Sequence, residues 1–201
     1  MNKGLLIVFS GPSGCGKGTI LKQFLARNED VRVSVSATTR APREGEQEGV
    51  SYFFKTKEEF EELVRSGGML EHATYVGNSY GTPRASVEAW REEGYHVVLE
   101  IEVQGALQVK RNCPDALLVF VLPPSFEELE RRLTGRGTEE PQVVARRLAM
   151  AKEELESAGQ YDYILVNDVV EEAVADLETI VNAEQMKTPH MQDFLKGLCE
   201  V

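Results

Sequence analysis

The sequence predicts an α/β fold in which helices cover a mostly parallel sheet. Short apolar segments alternate with longer segments whose apolar residues recur at helical spacing, a pattern typical of parallel strands joined by helices. The apolar segments are continuous rather than alternating, as expected for strands buried on both faces. The 201 residues are enough for one domain with its own hydrophobic core.

Five segments are predicted to be strands of this sheet. The first is the apolar run at residues 5–9, and the others lie at residues 31–35, 97–101, 117–122 and 164–166. A run of five apolar residues is too short for a signal-peptide core or a membrane span. We therefore expect a five-stranded parallel sheet in a protein without a membrane anchor.

Helix start signals lie between these segments. Residues 17–27 are predicted to form the first helix, with its apolar residues on one face. Possible capping boxes begin at Thr56, Ser125 and Asp168, each followed three residues later by Glu. These signals predict helices that begin directly after each of the three residues.

Two further helices are predicted from proline and glycine positions. Thr82-Pro83 predicts a capped helix start with proline at the first helical position, and Gly94 predicts the end of that helix. Residues from Pro189 onward predict a short amphipathic helix. Its apolar stripe is expected to pack on the core, with a dimer contact as the alternative; the stripe comprises Met191, Phe194, Leu195 and Leu198.

Two stretches interrupt the alternation and predict smaller units. Residues 36–83 resemble an inserted α+β unit, with short strands at 52–54 and 70–76, a helix that ends at Gly67-Gly68, and a Gly77-Asn78 turn. Residues 126–147 predict an arginine-bearing lid. The expected core then consists of residues 1–35, 84–125 and 148–201.

Composition excludes several classes of protein. The 33 acidic residues against 22 basic residues give a net charge of −11, which argues against a general nucleic-acid binder. The three cysteines, Cys15, Cys113 and Cys199, form no CxxC pair, so a zinc framework is not expected and a reducing cytoplasm fits best. The excess acid is expected on helices at residues 57–65, 152–156 and 171–184.

A glycine-rich segment between the first strand and the first helix matches the P-loop pattern G-x-x-x-x-G-K. Such a loop directs backbone N–H groups and a lysine at nucleotide phosphates. Gly18 follows the lysine where Ser or Thr is usual, so Thr19 is the remaining hydroxyl that could act on phosphate or on Mg²⁺. The predicted ATP-binding residues here are Gly11, Pro12, Ser13, Gly14, Cys15, Gly16, Lys17, Gly18 and Thr19.

Cys15 lies at a helix N-terminus, where thiol pKa values tend to fall. A small side chain filling the loop is the favoured interpretation, and a redox-sensitive thiol is the alternative.

An ordered set of further motifs resembles guanylate kinases. Residues 35–46 read V-S-A-T-T-R-A-P-R-E-G-E, followed by L-E-H-A at 70–73, G-N-S-Y-G-T at 77–82 and E-x-E-x-Q-G at 100–105. G-R-G-T at 135–138, R-R-L at 146–148 and V-N-D at 166–168 complete the set. The resemblance, from about residue 4 to about residue 185, implies a P-loop NTPase core and transfer of the ATP γ-phosphate to GMP.

The resemblance also implies a GMP site in the insertion. Arg forks and phenol donors suit a phosphate dianion, and they fall on Arg40, Arg43, Tyr52 and Tyr80. A carboxylate can accept hydrogen bonds from both neighbouring N–H donors of guanine, and the resemblance assigns this role to Glu71. It assigns to Ser36 the hydrogen bond to O6. Thr82 and Gly81 complete the predicted base site.

Acidic and basic groups for the reaction follow from the same resemblance. Glu100 and Glu102 end a predicted strand and are expected to contact GMP or, through water, Mg²⁺, with their individual roles left open. Lys17, Arg43, Arg136 and Arg147 are the predicted catalytic cations. Arg132 and Asn167 are expected to bind ATP. Arg131 and Arg146 are expected to form ion pairs with Glu on helix surfaces.

No general base is expected, because the attacking phosphate oxygen of GMP is already ionised near neutral pH. His72, His96 and His190 are therefore interpreted as structural or surface groups. The expected ligands are ATP, GMP and dGMP, with no nucleic acid or membrane, in a monomer or homodimer. A sugar-phosphate kinase and a phosphopeptide-binding module without activity are the alternatives. Ser36 and Glu71 argue against the first, and Lys17, Arg136 and Arg147 against the second.

Overall fold

The computed structural model describes residues 3–135 and 141–199. Within these ranges, no helix is both long enough and apolar enough to cross a membrane. Short 3₁₀ turns lie at Ala158–Gln160 and Thr188–Met191. The strands and helices are, in chain order, β1 (Leu6–Ser10), α1 (Lys17–Arg27), β2 (Val31–Val33), β3 (Ala37–Thr38), β4 (Phe53–Phe54), α2 (Lys57–Arg65), β5 (Met69–Tyr75), β6 (Asn78–Pro83), α3 (Arg84–Glu92), β7 (His96–Glu100), α4 (Val103–Asn112), β8 (Leu117–Leu122), α5 (Phe126–Thr134), α6 (Pro141–Glu156), β9 (Tyr163–Val166), α7 (Val170–Gln185) and α8 (Gln192–Cys199).

The main sheet has five parallel strands in the order β2-β7-β1-β8-β9, which confirms the predicted fold class. β1 lies at the centre, and all five of its residues are buried. Because side chains alternate along a strand, Ile7 and Phe9 pack on the cluster formed with α1 and α7, whereas Leu6 and Val8 pack on the cluster with α3 and α4. Burial on both faces accounts for the continuous apolar run.

The insertion forms a second sheet in the order β4-β3-β6-β5. Phe60 of α2 packs with Ala37 and Met69 to give this unit a small core. Tyr75 pairs with Asn78 at the end of the β5–β6 hairpin, so the two-residue turn is Val76-Gly77 rather than Gly77-Asn78. Both turn residues have positive φ, 48° and 74°, as a type I′ turn requires.

Helices α5 and α6 form the unit predicted as a lid. Leu129 and Leu133 of α5 pack against Val144 and Ala151 of α6. Helix α6 runs without a break from Pro141 to Glu156 and so crosses the expected boundary at residue 147. The division of the chain into core, insertion and lid stays a prediction.

The capping predictions have mixed outcomes. The Thr56 box is confirmed, because its hydroxyl accepts from the Glu59 N–H and the Glu59 carboxylate accepts from the Thr56 N–H. The Ser125 side chain caps α5 by accepting from the Glu128 N–H. The Glu128 carboxylate binds Arg131 and Arg132 rather than the Ser125 N–H, so the reciprocal hydrogen bond of a capping box is not formed.

Two other predicted helix starts are wrong. The N-cap of α7 is Val169 and carries no side-chain cap, so Asp168 lies before the cap position. Helix α3 begins after Pro83 rather than at it. The Thr82 hydroxyl does not cap this helix, because it donates to the buried Glu71 carboxylate. Gly94 does follow the end of α3, with φ 95°.

Helix α8 does not pack on the core as predicted. Its apolar residues Phe194, Leu195 and Leu198 are exposed, and the helix contacts the 3₁₀ turn that precedes it.

The pH dependence of stability tests the hydrogen bond between His96 and Leu5, the residue before β1. The His96 Nδ1 accepts a hydrogen bond of 2.9 Å from the Leu5 N–H. Burial lowers the His96 pKa below its usual 6.5, although Asp30 opposes the shift. The unfolded chain therefore binds this proton at higher pH than the folded chain, and the stabilisation present above about pH 6.5 is lost as pH falls toward the folded pKa.

When the pH is lowered from about 7.5 to about 5.5, we expect the free energy of unfolding to fall less in His96→Gln than in the parent. Urea titrations at both pH values measure the difference. His72→Gln, at an exposed histidine, is the control and should behave like the parent. Equal losses in the parent and His96→Gln would contradict the assignment.

Candidate active site

The P-loop connects the carboxyl end of β1 to the first residue of α1. Gly11 and Gly16 have positive φ. A Cβ at Gly11 would lie 2.2 Å from the Val121 carbonyl oxygen, and a Cβ at Gly16 would lie 2.3 Å from the Asn167 Nδ2. Both positions therefore require glycine, because the backbone turns sharply against its neighbours. The predicted P-loop is confirmed as a tight strand-to-helix turn.

The end of α1 at this loop is open to an anion. Gly16 is the N-cap and offers no side chain, and the first turn holds no acidic residue. The Lys17 Nζ donates to the Gly11 carbonyl oxygen and, at 3.2 Å, to that of Pro12. The N-terminus of α1 and the ammonium group thus lie at the same loop, an arrangement that suits phosphate.

Asn167 fixes the P-loop from β9. Its side chain is buried, and its Nδ2 donates to the Cys15 carbonyl oxygen at 2.8 Å. The Arg132 Nη2 donates to the Asn167 carbonyl oxygen at 2.9 Å, and its Nε binds Glu128 at 2.6 Å. Both residues predicted at ATP therefore support the loop backbone.

Charge and burial perturb two groups near the loop. Arg131 and Arg132 together lower the pKa of Glu128 to about 2, so this carboxylate stays ionised and holds Arg132. Burial raises the pKa of the Cys15 thiol more strongly than Lys17 lowers it. The Cys15 side chain is fully buried, which supports the favoured interpretation of Cys15 as a packing residue.

A cavity of about 630 Å³ lies beside the P-loop. Glu100 and Glu102 enter it from the end of β7, and Arg147 enters it from α6. Arg146 also lines this cavity, although it was predicted to lie on the helix surface. The wall consists of Gly11, Ser13, Lys17, Tyr75, Glu100, Ile101, Glu102, Val143, Arg146, Arg147, Met150 and Glu154.

Glu154 is a cavity residue that the motifs did not indicate. Burial raises its pKa, Lys17 opposes that shift and Glu102 adds to it. Its only sequence signal is its position seven residues, or about two helical turns, after Arg147 on α6, which places both on one side of that helix. Arg136 lies outside the described residues.

A second cavity of about 310 Å³ lies in the insertion. Glu71 is its most buried acidic group, at 7% exposure, and the Thr82 hydroxyl donates to the Glu71 Oε1 at 2.7 Å. Burial raises the pKa of Glu71 although this hydrogen bond opposes the shift. The wall comprises Ser36, Tyr52, Glu71, Ala73, Tyr75, Tyr80, Gly81, Glu100, Ile101, Glu102, Gln104 and Gly105.

Arg40 of the insertion lies near two of these aromatic residues. The Arg40 guanidinium is 5.5 Å from the Tyr52 ring centre, and the Tyr52 and Tyr80 rings are 6.2 Å apart. Glu46 binds the Arg40 Nη2 at 2.7 Å and accepts from the Arg43 backbone N–H at 2.7 Å. Glu46 therefore holds the Arg40 side chain, whereas it holds only the backbone of Arg43, whose side chain is exposed.

The two cavities share part of their walls. Tyr75, Glu100, Ile101 and Glu102 line both. The P-loop and the buried Glu71 thus face a continuous cleft, with two carboxylates at the junction.

Comparison with known proteins decides the family. A family model described as guanylate kinase matches residues 3–184. The chain belongs to the guanylate kinase family. The guanylate kinase of Oceanobacillus iheyensis is 49% identical over 198 residues, which cover 98% of this chain and 96% of the relative. A guanylate kinase of Streptococcus pneumoniae is 53% identical over 184 residues, which cover 91% of this chain and 88% of the relative.

A solved structure agrees with this family membership. The crystal structure of guanylate kinase from Anaplasma phagocytophilum matches with a TM-score of 0.75 and 34% identity, over 100% of this chain and 98% of that one. The resemblance drawn from the ordered motifs is confirmed, and so is the P-loop NTPase fold of this chain.

The Asn167 contact predicts a specific defect. Asn167→Ala leaves the Cys15 carbonyl oxygen without this donor, at a cost of about 1–3 kcal/mol that loop movement would partly relieve. We expect the dissociation constant for ATP, the predicted P-loop ligand, to rise about tenfold. Isothermal titration measures it.

Asn112→Ala is the matched control. The Asn112 Nδ2 donates to the Leu70 carbonyl oxygen at 2.8 Å, so the substitution removes the same type of hydrogen bond away from the P-loop. An unchanged ATP affinity in Asn167→Ala, or an equal loss in Asn112→Ala, would refute the positioning role.

Proposed function

We infer that this protein transfers the γ-phosphate of ATP to GMP, with ATP at the P-loop cavity and GMP in the insertion cavity. The observation that carries this assignment is the buried Glu71 carboxylate, in a cavity that shares a wall with the P-loop cavity. A buried carboxylate needs hydrogen-bond donors, and Thr82 supplies one of them to Oε1. The remaining acceptor positions suit a ligand with adjacent N–H groups.

Guanine supplies such a pair of donors. Its N1–H and N2–H groups lie side by side, so the ionised Glu71 accepts both while Thr82 orients the carboxylate. Ser36 lines the same cavity and can donate to O6. Adenine lacks both donors, and sites that leave a polar group unpaired discriminate by about 10⁴–10⁵. The wall at Gly81 completes the base site.

The GMP phosphate is assigned to Arg40, Arg43, Tyr52 and Tyr80. Glu46 holds Arg40 and the Arg43 backbone in place, and Tyr52 and Tyr80 line the cavity. Arginine donors to a phosphate dianion form charge-assisted hydrogen bonds, which are stronger than neutral ones.

The ATP phosphates are assigned to the open N-terminus of α1 and to Lys17. Lys17 would exchange its contacts with the Gly11 and Pro12 carbonyl groups for contacts with phosphate oxygens. Arg147 lines the cavity and would stabilise the charge that spreads over the γ-phosphate oxygens. Arg136 is proposed for the same role from the family motif.

Thr19 and one of the two carboxylates, Glu100 or Glu102, would hold Mg²⁺ through water, while the other carboxylate contacts GMP. The donors fit, because hard oxygen ligands suit Mg²⁺, which is commonly held by one or two carboxylates and substrate phosphates. Among the described residues, no group of three or more metal-binding side chains forms a cage. When bound, the ion supplies positive charge to the ATP phosphates.

The reaction then needs positioning more than proton transfer. A GMP phosphate oxygen forms a bond to the γ-phosphorus, and the bond from that phosphorus to the bridging oxygen of ADP breaks. ADP leaves with that oxygen, and GDP is the second product. The attacking oxygen is already ionised, which leaves no proton for a histidine to remove.

The finer assignments are proposals too. dGMP should be accepted, because the proposed contacts are with base and phosphate rather than with the 2′-hydroxyl. A cytoplasmic location fits the three free cysteines, Cys15, Cys113 and Cys199. We propose no nucleic-acid or membrane partner and a monomer or homodimer.

Coupled ADP release from the purified protein tests the activity. With Mg²⁺ and ATP, we expect release with GMP and dGMP and at least about 10⁴-fold lower kcat/KM with AMP or UMP. Absence of GMP-dependent release would end the enzyme assignment, and equal rates with AMP would end the account of base recognition.

Glu71→Ala separately tests the proposed recognition of guanine by Glu71. We expect kcat/KM for GMP to fall by at least about tenfold, or about 1.4 kcal/mol. Glu61→Ala, at an exposed carboxylate on α2 of the insertion, is the control and should retain the parent value. An unchanged value in Glu71→Ala would remove this residue from the site.

A further inference from the structure

Strand β5, which carries Glu71, is fixed to the core of the molecule as well as to the insertion. The Leu70 side chain is completely buried in the cluster that β1, β7 and β8 form with α3 and α4. The preceding residue, Met69, packs instead in the small core of the insertion. Consecutive residues of β5 therefore join the two cores, and Glu71 follows directly after them.

Two amide side chains of α4 hold the backbone on either side of Glu71. The Asn112 Nδ2 donates to the Leu70 carbonyl oxygen at 2.8 Å. The Gln108 Oε1 accepts from the His72 N–H at 3.2 Å, and the Gln108 Nε2 donates to the His72 carbonyl oxygen at 3.1 Å. Because β5 is the last strand of the insertion sheet, its outer backbone groups need partners of this kind. The Gln108 amide thus takes the place of a neighbouring strand.

Gly105, also on α4, lies directly against the Glu71 carboxylate. A Cβ at Gly105 would lie 3.0 Å from the Glu71 Oε2, and this oxygen would have to move by a few tenths of an ångström. The Thr82 hydroxyl donates to the other oxygen, Oε1, at 2.7 Å. Residues 105, 108 and 112 are three and four positions apart and so share one side of the helix. One carboxylate oxygen is therefore placed by the insertion and the other by a core helix.

We propose that Gly105, Gln108 and Asn112 are positioning residues that orient the Glu71 carboxylate and so determine the preference for guanine over hypoxanthine. Gln108 and Asn112 fix the strand on both sides of Glu71, and Gly105 leaves room for its Oε2. The inference rests on the proposed transfer to GMP and deepens it, because it names residues outside the insertion that set base selectivity.

Two adjacent donors demand a more exact carboxylate position than one donor does. The guanine N1–H and N2–H point side by side, so both hydrogen bonds form only when the carboxylate lies opposite the pair. Hypoxanthine keeps N1–H and O6 but lacks the 2-amino group, and a single hydrogen bond can follow a displaced oxygen. Hydrogen bonds weaken steeply as their angles depart from linearity. Displacement of Glu71 should therefore cost GMP more than IMP, the nucleotide of hypoxanthine.

The experiment compares kcat/KM for GMP with kcat/KM for IMP at a fixed concentration of Mg²⁺-ATP. Gly105→Ala should lower the ratio of the two values about tenfold relative to the parent, because the added methyl group displaces Oε2. The KM for ATP should stay at the parent value. Gly159→Ala, where a Cβ would meet no atom within 4 Å, is the control and should keep the parent ratio.

Gln108→Met tests the same role without adding an atom to the cavity, because Gln108 is not part of the cavity wall. It keeps the length of the side chain but removes both hydrogen bonds to His72. We expect the ratio to fall about threefold, and likewise for Asn112→Ala. Asn28→Ala is the control, because it removes a hydrogen bond of 2.8 Å to the Phe24 carbonyl oxygen at the other end of α1 from the P-loop.

The pattern of losses separates positioning from other effects. Parent ratios in both Gly105→Ala and Gln108→Met would overturn the inference. Equal losses with GMP and IMP would also overturn it, because a blocked cavity or a weakened fold affects both nucleotides alike. Urea titration of each variant measures the second effect directly. Absence of GDP formation by the parent would instead refute the proposed function.

Discussion

The hydrogen bond from Asn167 to the Cys15 carbonyl group is the contact on which the arrangement of the cleft depends. It closes the P-loop against the end of β9, while the loop itself grows out of β1 at the centre of the sheet. In the parallel register, Phe9 pairs with Glu100. The ends of these strands therefore bring an anion-binding loop, a carboxylate and a buried amide to one edge.

Electrostatics then divides this edge into two sites. The P-loop cavity combines Lys17 and Arg147 with the carboxylates of Glu100 and Glu102, whereas the insertion cavity is dominated by the buried Glu71. The net charge of −11 describes the surface of the molecule as a whole. The cations that matter to the proposed function are few. Two backbone carbonyl groups hold Lys17, and Glu46 holds Arg40.

The sequence predicted the core well, because continuous apolar strands and a P-loop carry strong local signals. The bounds of α1 and β8 were predicted to the residue, and the capping box at Thr56 formed as expected. Predictions failed where tertiary contacts compete with local signals. The Thr82 hydroxyl binds Glu71 instead of capping a helix, and α8 lies away from a core that other helices already cover. Glu154 and Tyr75 reach the cleft through the packing of α6 and the hairpin, which no local pattern reveals.

We propose that the P-loop cavity and the Glu71 cavity form one cleft in which phosphate passes directly between two nucleotides. The most direct measurement uses ATP labelled at the γ-phosphate, with Mg²⁺ and GMP, followed by separation of the products. The label should appear in GDP in a 1:1 molar ratio to the ADP formed, within about a few per cent. Label recovered mainly as inorganic phosphate, or an absence of labelled GDP, would contradict the account.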